Sequence, residues 1–233
     1  MRISFWSRLL DTIAPRFCPV CGSRLTVSEQ GICSLCYRHL PRTFFWQHPE
    51  DNIMARLFWG RMDIERAAAL FFFESGSEVA GIVYNMKYHD QPELAQVMGR
   101  MMASELSLSG FFHGIDMLVP VPLARKRERQ RGYNQSFCIA EGIREATGLP
   151  VASRVVRRTA FEKSQTRMSR WERQENVEGV FTLEKPEAVA GKHVLIVDDV
   201  VTTGATTLAC GSELQKADGT KVSIISLAFT KGI

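Results

Sequence analysis

Apolar positions along this chain fall into two kinds of run, and the two kinds alternate. Short continuous runs occupy residues 67–73 (AAALFFF), 116–122 (DMLVPVP), 194–197 (VLIV) and 222–229. Each is too short for a stable helix and mostly apolar, 194–197 throughout, the pattern of a strand buried on both faces. Between them the spacing changes to threes and fours. Val79, Ile82, Val83 and Met86 line one face of a helix over 76–87, which the segment Lys87-Tyr88-His89-Asp90 interrupts. Leu94, Val97, Met98, Met101 and Met102 line a second over 92–106, where a methionine stripe reads as core. A third helix starts at the N-cap Asn134 and runs through Ile139, Ala140 and Ile143 to Gly148. A fourth passes through Leu208 and Leu214 to Gly219, and shorter strands are expected at 151–156 and 179–183. This alternation predicts an α/β domain over residues 67–233, with a parallel sheet flanked by helices.

The first 66 residues read differently. Ile3, Trp6, Leu9, Leu10 and Ile13 are spaced as one face of a short amphipathic helix over 1–17. Arg8 and Asp11 interrupt any signal-peptide core and no small-residue cleavage site follows, so a cytoplasmic protein is expected. No apolar run is long enough to span a membrane. Cys18-Pro19-Val20-Cys21 and Cys33-Ser34-Leu35-Cys36 are two CxxC turns separated by eleven residues. Each turn aims two thiolates at one centre, and two turns complete a closed tetrahedral sulfur site for structural Zn²⁺. Residues 1–45 are therefore expected to form a small four-cysteine zinc module behind the amphipathic helix. A connector over 46–66 follows, whose Trp46, Phe58 and Trp59 are too irregularly spaced to suggest more than packing between module and domain. Cys138 and Cys210 fall in helices and read as small buried residues.

At 233 residues, 45% hydrophobic and 23% charged, the chain can bury one α/β core and a small appendage. A net charge of +4 does not by itself imply nucleic acid, but its distribution is uneven. Arg125, Lys126, Arg127, Arg129 and Arg131 place five cations in seven residues directly after a predicted strand. Ligands of α/β sheets sit at that edge, and a diphosphate needs such donors. Arg167, Arg170 and Arg173 recur every three residues in a polar stretch over 159–177, beside Met168 and Trp171.

The stretch 194–206, VLIVDDVVTTGAT, combines a buried strand, the acids Asp198 and Asp199, and a small-residue turn Thr202-Thr203-Gly204-Ala205-Thr206 leading into a helix. Backbone N–H groups at such a helix start, with glycine allowing close approach, suit a phosphate. The GxxxxGK[ST] loop is absent.

Residue for residue, this stretch resembles the phosphoribosyl pyrophosphate (PRPP) signature of type I phosphoribosyltransferases. With CPVCG…CSLC, KYHD, DMLVPVPL, RQRGYNQS and SQTRMSRWERQENVEGVF in order, the whole chain resembles the ComF/GntX family. The resemblance implies a type I phosphoribosyltransferase-like sheet with an N-terminal zinc finger, and a role in natural competence and DNA uptake or utilisation. It implies that Asp198 and Asp199 hold the ribose hydroxyls of PRPP and that Thr202, Thr203, Gly204, Ala205 and Thr206 hold its 5′-phosphate. Val121, Pro122, Leu123, Ala124, Arg125 and Lys126 take the place of the pyrophosphate loop, with Mg²⁺ bridging ribose and diphosphate. Arg127 and Arg131, with Gln165 and Arg167, resemble mobile-loop elements of glutamine PRPP amidotransferases, and would neutralise the departing diphosphate. The glutaminase half of those enzymes has no counterpart here, nor does a hood with recognisable base contacts. Three readings stay open at this point. The first is a phosphoribosyltransferase acting in DNA utilisation, with competence or DNA-processing proteins as partners. The second is a non-catalytic single-stranded DNA adaptor with a PRPP-sensing pocket, stacking bases on Trp46, Trp59 or Trp171. The third is a nucleotide-salvage transferase.

Overall fold

Four parallel strands form the centre of the molecule: β1 (Arg66–Phe73), β2 (Met117–Pro120), β5 (His193–Val201) and β6 (Lys221–Thr230). Their order across the sheet is β1-β6-β5-β2. The computed structural model describes residues 15–88, 91–159 and 179–231. The face Ile3, Trp6, Leu9, Leu10 and Ile13, the pair His89-Asp90, and the stretch holding Gln165, Arg167, Met168, Arg170, Trp171 and Arg173 lie outside the described residues. Among the described residues no helix is long and apolar enough to cross a membrane.

The continuous apolar runs are buried on both faces because helices cover both sides of the sheet. Val194, Leu195, Ile196 and Val197 of β5 and Ile224, Ile225, Leu227 and Ala228 of β6 are fully buried. Two expectations change. Strand β5 does not stop before its acids, because β6 continues alongside and pairs Asp198 with Ser226, Val200 with Ala228 and Val201 with Phe229. The run at 151–156 is not a strand of the sheet. Val151 makes one bridge to Leu118, the chain turns at the exposed Ser153 and Arg154, and only then does β3 (Val156–Arg158) begin. It pairs antiparallel with β4 (Phe181–Leu183) in a separate two-stranded ribbon.

Seven helices complete the described chain: α1 (Ser34–His39), α2 (Glu78–Tyr88), α3 (Pro92–Ser107), α4 (Arg125–Arg131), α5 (Gln135–Thr147), α6 (Pro186–Val189) and α7 (Ala205–Leu214). Asn134 caps α5 as its sequence predicts, its Oδ1 accepting from the Ser136 N–H at 3.0 Å, and Gly148 closes it in the left-handed region. Helices α3 and α5 pack backbone to backbone. A methyl group on Gly142 would overlap the Gln96 carbonyl oxygen, and one on Gly99 the Ile139 carbonyl oxygen. Two facing glycines thus set the helix separation.

The segment between the cysteine turns and β1 is built into the core. Met54, Ala55 and Phe58 are fully buried, and the Phe45 ring meets Phe72 and Phe229 edge-on at 5.5 and 5.6 Å. The same segment lies along the outer edge of β1. Thr43 N–H donates to the Leu70 carbonyl, Phe72 N–H to Pro41 and Ala67 N–H to Pro49. The cysteine module docks on α3 through Glu105, which takes the Arg42 guanidinium at 2.7 and 2.9 Å and also the Tyr37 hydroxyl.

Replacing Gly142 with alanine forces α3 and α5 apart and is expected to cost about 1–3 kcal/mol. For a chain of this size that lowers Tm by roughly 2–4 °C per kcal/mol, readable by calorimetry.

Candidate functional site

Successive residues of a strand point to opposite faces, so Asp198 and Asp199 at the carboxyl end of β5 find different partners. Asp198 is 8% exposed, and its Oδ1 accepts from the Ser136 hydroxyl at 3.1 Å and from the Asp199 N–H at 2.8 Å. Ser136 stands on the first turn of α5, so the cap at Asn134 fixes where that hydroxyl points. Asp199 accepts the Lys87 ammonium on Oδ2 at 2.8 Å and the Val200 N–H on Oδ1 at 2.7 Å. Burial, with the Asp199 charge beside it, pushes Asp198 up to about 7.

The turn beyond β5 leaves Thr202 and Thr203 exposed and brings the chain into α7 at Gly204, which sits at φ 73°. Gly204 has no side chain to cap α7, so no side-chain cap takes up the helix's first N–H groups, an arrangement that suits an anion. Ala205 and Thr206 form its first turn, and the Ala205 N–H points to the Thr203 hydroxyl at 3.5 Å. Gly204 is held from beneath: a Cβ there would come within 3.1 Å of the Phe58 ring. The connector therefore supports the turn directly.

Strand β2 ends beside the acids, since Pro120 pairs with Val197. The loop Val121-Pro122-Leu123-Ala124 that follows is anchored at Val121, whose N–H donates to the Val197 carbonyl at 2.9 Å and whose carbonyl accepts from Asn134 at 3.0 Å. Arg125 and Lys126 open α4, which is exposed along most of its length. The helix divides two clefts. One, of about 800 Å³, is lined by Arg125 together with Arg154, Arg158, Lys185, Tyr133 and Phe137. Arg125 at the start of α4 and the arginines before and in β3 thus share one surface, in which Glu128 and Glu184 also stand. Arg158 is half-buried with its cation disfavoured by burial and by Arg127, and Asp198 opposes both. No carboxylate pairs with it among the described residues, whereas neighbouring Arg157 takes Glu184 at 2.7 Å. The other cleft, of about 570 Å³, brings Arg127 and Arg131 together with Lys87 and Tyr88.

The acids, the threonine turn and the β2–α4 loop therefore share one edge of the sheet, where α/β folds place ligands. Lys126 lines neither described cleft. The sequence assigned no individual role to Lys87, Ser136 or Arg158. Lys87 and Ser136 stood within the segments KYHD and RQRGYNQS, and Arg158 within the basic cluster from Arg154 to Arg173 that the adaptor reading draws on. Trp46 packs as its irregular spacing suggests, buried at 7% exposure against Phe44, which removes it from the stacking residues of the adaptor reading, while Trp59 is half-exposed under Arg56.

The Sγ atoms of Cys18, Cys21, Cys33 and Cys36 lie within 4.8 Å of one another. Backbone N–H groups of Cys33 and Cys36 point at the Cys18 and Cys33 sulfurs at 3.4 Å, and Gly22 makes the first knuckle turn at φ 71°. Hydrogen bonds from Ser23 hold Cys21 down to about 6, while burial pushes the Cys36 thiol up. A cation at the centre of the four sulfurs favours the thiolate form of all of them, so the donor set fits one metal ion. Cys138 and Cys210 are buried elsewhere, as their helical positions suggest.

Comparison with known proteins agrees with this geometry. Residues 141–232 match the family described as Phosphoribosyl transferase domain. The DNA utilization protein YhgH of Salmonella typhi is 29% identical over 226 residues, covering 93% of this chain and 98% of the relative. Competence protein F of Haemophilus influenzae is 22% identical over 226 residues, covering 91% and 96%. Competence protein ComFC of Bacillus subtilis is 33% identical over 112 residues, covering 48% and 43%. Over nearly its whole length the chain is thus similar to proteins named for DNA utilisation and for competence. It has a phosphoribosyltransferase-type parallel sheet, with a metal-competent cysteine cluster ahead of it.

The buried acid carries a pH signature. Asp198 binds its proton more tightly folded than unfolded, where a carboxylate titrates near the ordinary 3.8. Its penalty is therefore complete above pH 7 and vanishes as pH falls towards 4. Asp198→Asn is expected to raise the Tm of the ligand-free protein at pH 8, and the gain is expected to shrink steadily on acidification. A gain independent of pH would mean that Asp198 titrates alike in the folded and unfolded chain.

Proposed function

We propose that this protein is a ComF-family member that binds PRPP with Mg²⁺ at the carboxyl edge of β5 and serves DNA uptake or utilisation in the cytoplasm. The observation that carries the reading is the junction of β5 and α7, where a buried acid pair adjoins an uncapped helix start. Asp198 and Asp199 accept the ribose hydroxyls, and the N–H groups and hydroxyls from Thr202 to Thr206 take the 5′-phosphate. The ion pair with Lys87 holds the Asp199 carboxylate in place before ligand arrives. Residues Val121, Pro122, Leu123, Ala124, Arg125 and Lys126 receive the diphosphate, with Arg127 and Arg131 across α4. Mg²⁺ enters with PRPP, since the diphosphate and ribose oxygens supply most of its ligands. As a transferase, the protein would let an acceptor attack C1 of the ribose while the C1–diphosphate bond breaks. Cations around α4 would stabilise the leaving diphosphate, and no protein nucleophile is needed.

The DNA side of the proposal is supported by the relatives' names and by the convergence of Arg125 with Arg154 and Arg158 on one cleft. The same convergence favours a second reading, a non-catalytic adaptor whose cations follow a single DNA strand. In either case the four sulfurs hold structural Zn²⁺, because a closed set of four thiolates leaves no open position.

Calorimetric titration with PRPP and Mg²⁺ tests the pocket. Saturable heat is expected for the parent and its loss for Asp198→Asn/Asp199→Asn. A folded parent that gives no heat would retire the PRPP reading. DNA affinity, by contrast, is expected to fall steeply with salt, while PRPP affinity falls less.

The metal reading has its own check. Elemental analysis is expected to find one zinc per chain, and Cys36→Ser is expected to release it and lower Tm. A parent containing no bound zinc after purification without chelator would count against it.

A further inference from the structure

Helix α2 ends in two tyrosines that the PRPP reading leaves without a task. Tyr84 and Tyr88 are one turn apart, so their side chains share a face. Their ring centroids are 4.8 Å apart at 40°, and the residues are 55% and 62% exposed. The Arg131 guanidinium lies 5.5 Å from the Tyr88 ring centroid, while its Nη1 donates to Gln135 at 2.8 Å. Tyr88 also lines the cleft of about 570 Å³, with Lys87, Arg127, Gln130 and Arg131 and no carboxylate, and Tyr84 packs on Tyr88 beside it. Lys87 is already engaged by Asp199, but neither Arg127 nor Arg131 has an acidic partner among the described residues.

Each part of this surface asks for a different part of one ligand. Broad exposed aromatic faces next to a guanidinium favour flat π systems. Cations without acids favour an anion. A nucleotide chain supplies both at regular intervals: bases for the rings and phosphates for the arginines. A peptide would meet no acid to pair its own cations, and a small anion would leave the rings unused. Cations also line the cleft on the other side of α4, where Arg125, Arg154, Arg158 and Lys185 stand with Glu128 and Glu184.

We propose that Tyr84 and Tyr88, with Arg127 and Arg131, form a base-stacking platform for single-stranded nucleic acid beside the PRPP site. The platform rests on the DNA reading above and gives it a location. It replaces the tryptophans as the stacking residues, and it puts the strand against Lys87 and hence next to Asp199. A strand seated there lies at the mouth of the transferase edge.

The test uses the full zinc-loaded protein and a labelled short oligothymidylate, followed by anisotropy across a salt series. Tyr84→Leu/Tyr88→Leu is expected to weaken binding about tenfold or more, since each stacked base contributes on that scale. Tyr84→Phe/Tyr88→Phe is expected to stay within about twofold, because stacking does not need the hydroxyls. The salt slope of the leucine variant should match the parent, whereas Arg127→Gln/Arg131→Gln should flatten it by about 1.4. In the unaltered protein the oligothymidylate should shield Tyr84 and Tyr88 from nitration. Leucine substitution without effect, or nitration undiminished at saturation, would overturn the platform while DNA binding itself stands. Absence of oligothymidylate binding by the parent at low salt would overturn platform and DNA reading together. Equal competition by thymidine monophosphate would make the surface a mononucleotide site and overturn the strand.

Discussion

Two carboxylates on consecutive residues of a buried strand repel each other, and the surrounding structure is arranged around that repulsion. The pleat of β5 turns Asp198 and Asp199 to opposite sides. One then meets only a hydroxyl and a backbone N–H, the other an ammonium. Burial raises the proton affinity of Asp198, and the Asp199 charge beside it adds to the rise. Helices α5 and α2 supply the two partners, so both must be held in register with the strand. The Gly99–Gly142 contact sets how closely α3 and α5 lie, and α5 carries Ser136. Tyr133, at the mouth of α5, in turn donates its hydroxyl to the carbonyl of Met86, the residue before Lys87. The two sides of the acid pair are thereby tied to each other.

The same economy appears at the phosphate-type turn. Gly204 adopts a left-handed conformation that a side chain would strain, and Phe58 fills the space beneath it. A residue from the connector thus acts as the floor of a turn nearly the whole domain away in sequence. The cysteine cluster reaches the sheet through Arg42 and Glu105, and the connector reaches the turn through Phe58. The appended N-terminal part and the transferase edge are consequently parts of one packed body among the described residues.

Much of this was legible in the sequence because it depends on local pattern. Strands buried on both faces announce themselves as apolar runs, helices as three-and-four spacing, and the cysteine pairs by their interval. The acid pair and its turn were legible because strand, acids, glycine and helix are contiguous in the chain. Lys87 and Ser136 were not, because their roles are fixed by partners far along the chain, and no periodicity records such a meeting. Trp46 and Trp59 could not be told apart in the sequence, because an aromatic residue in a polar stretch has the same signature whether it faces solvent or core. The run at 151–156 misled because β-branched residues favour extended backbone without specifying a neighbour.

The backbone of β1 needs protection that its own side chains cannot give. It is an outer strand, and an outer strand offers unpaired N–H and carbonyl groups to any other extended chain. Here the segment holding Pro41, Thr43 and Pro49 occupies those groups, and Arg42 bridges to Phe71. The N-terminal segment is therefore a built-in guard against polymerisation. A proteolytic nick that released it would uncover an apolar strand edge, RAAALFFF, of the kind that templates amyloid-like stacking.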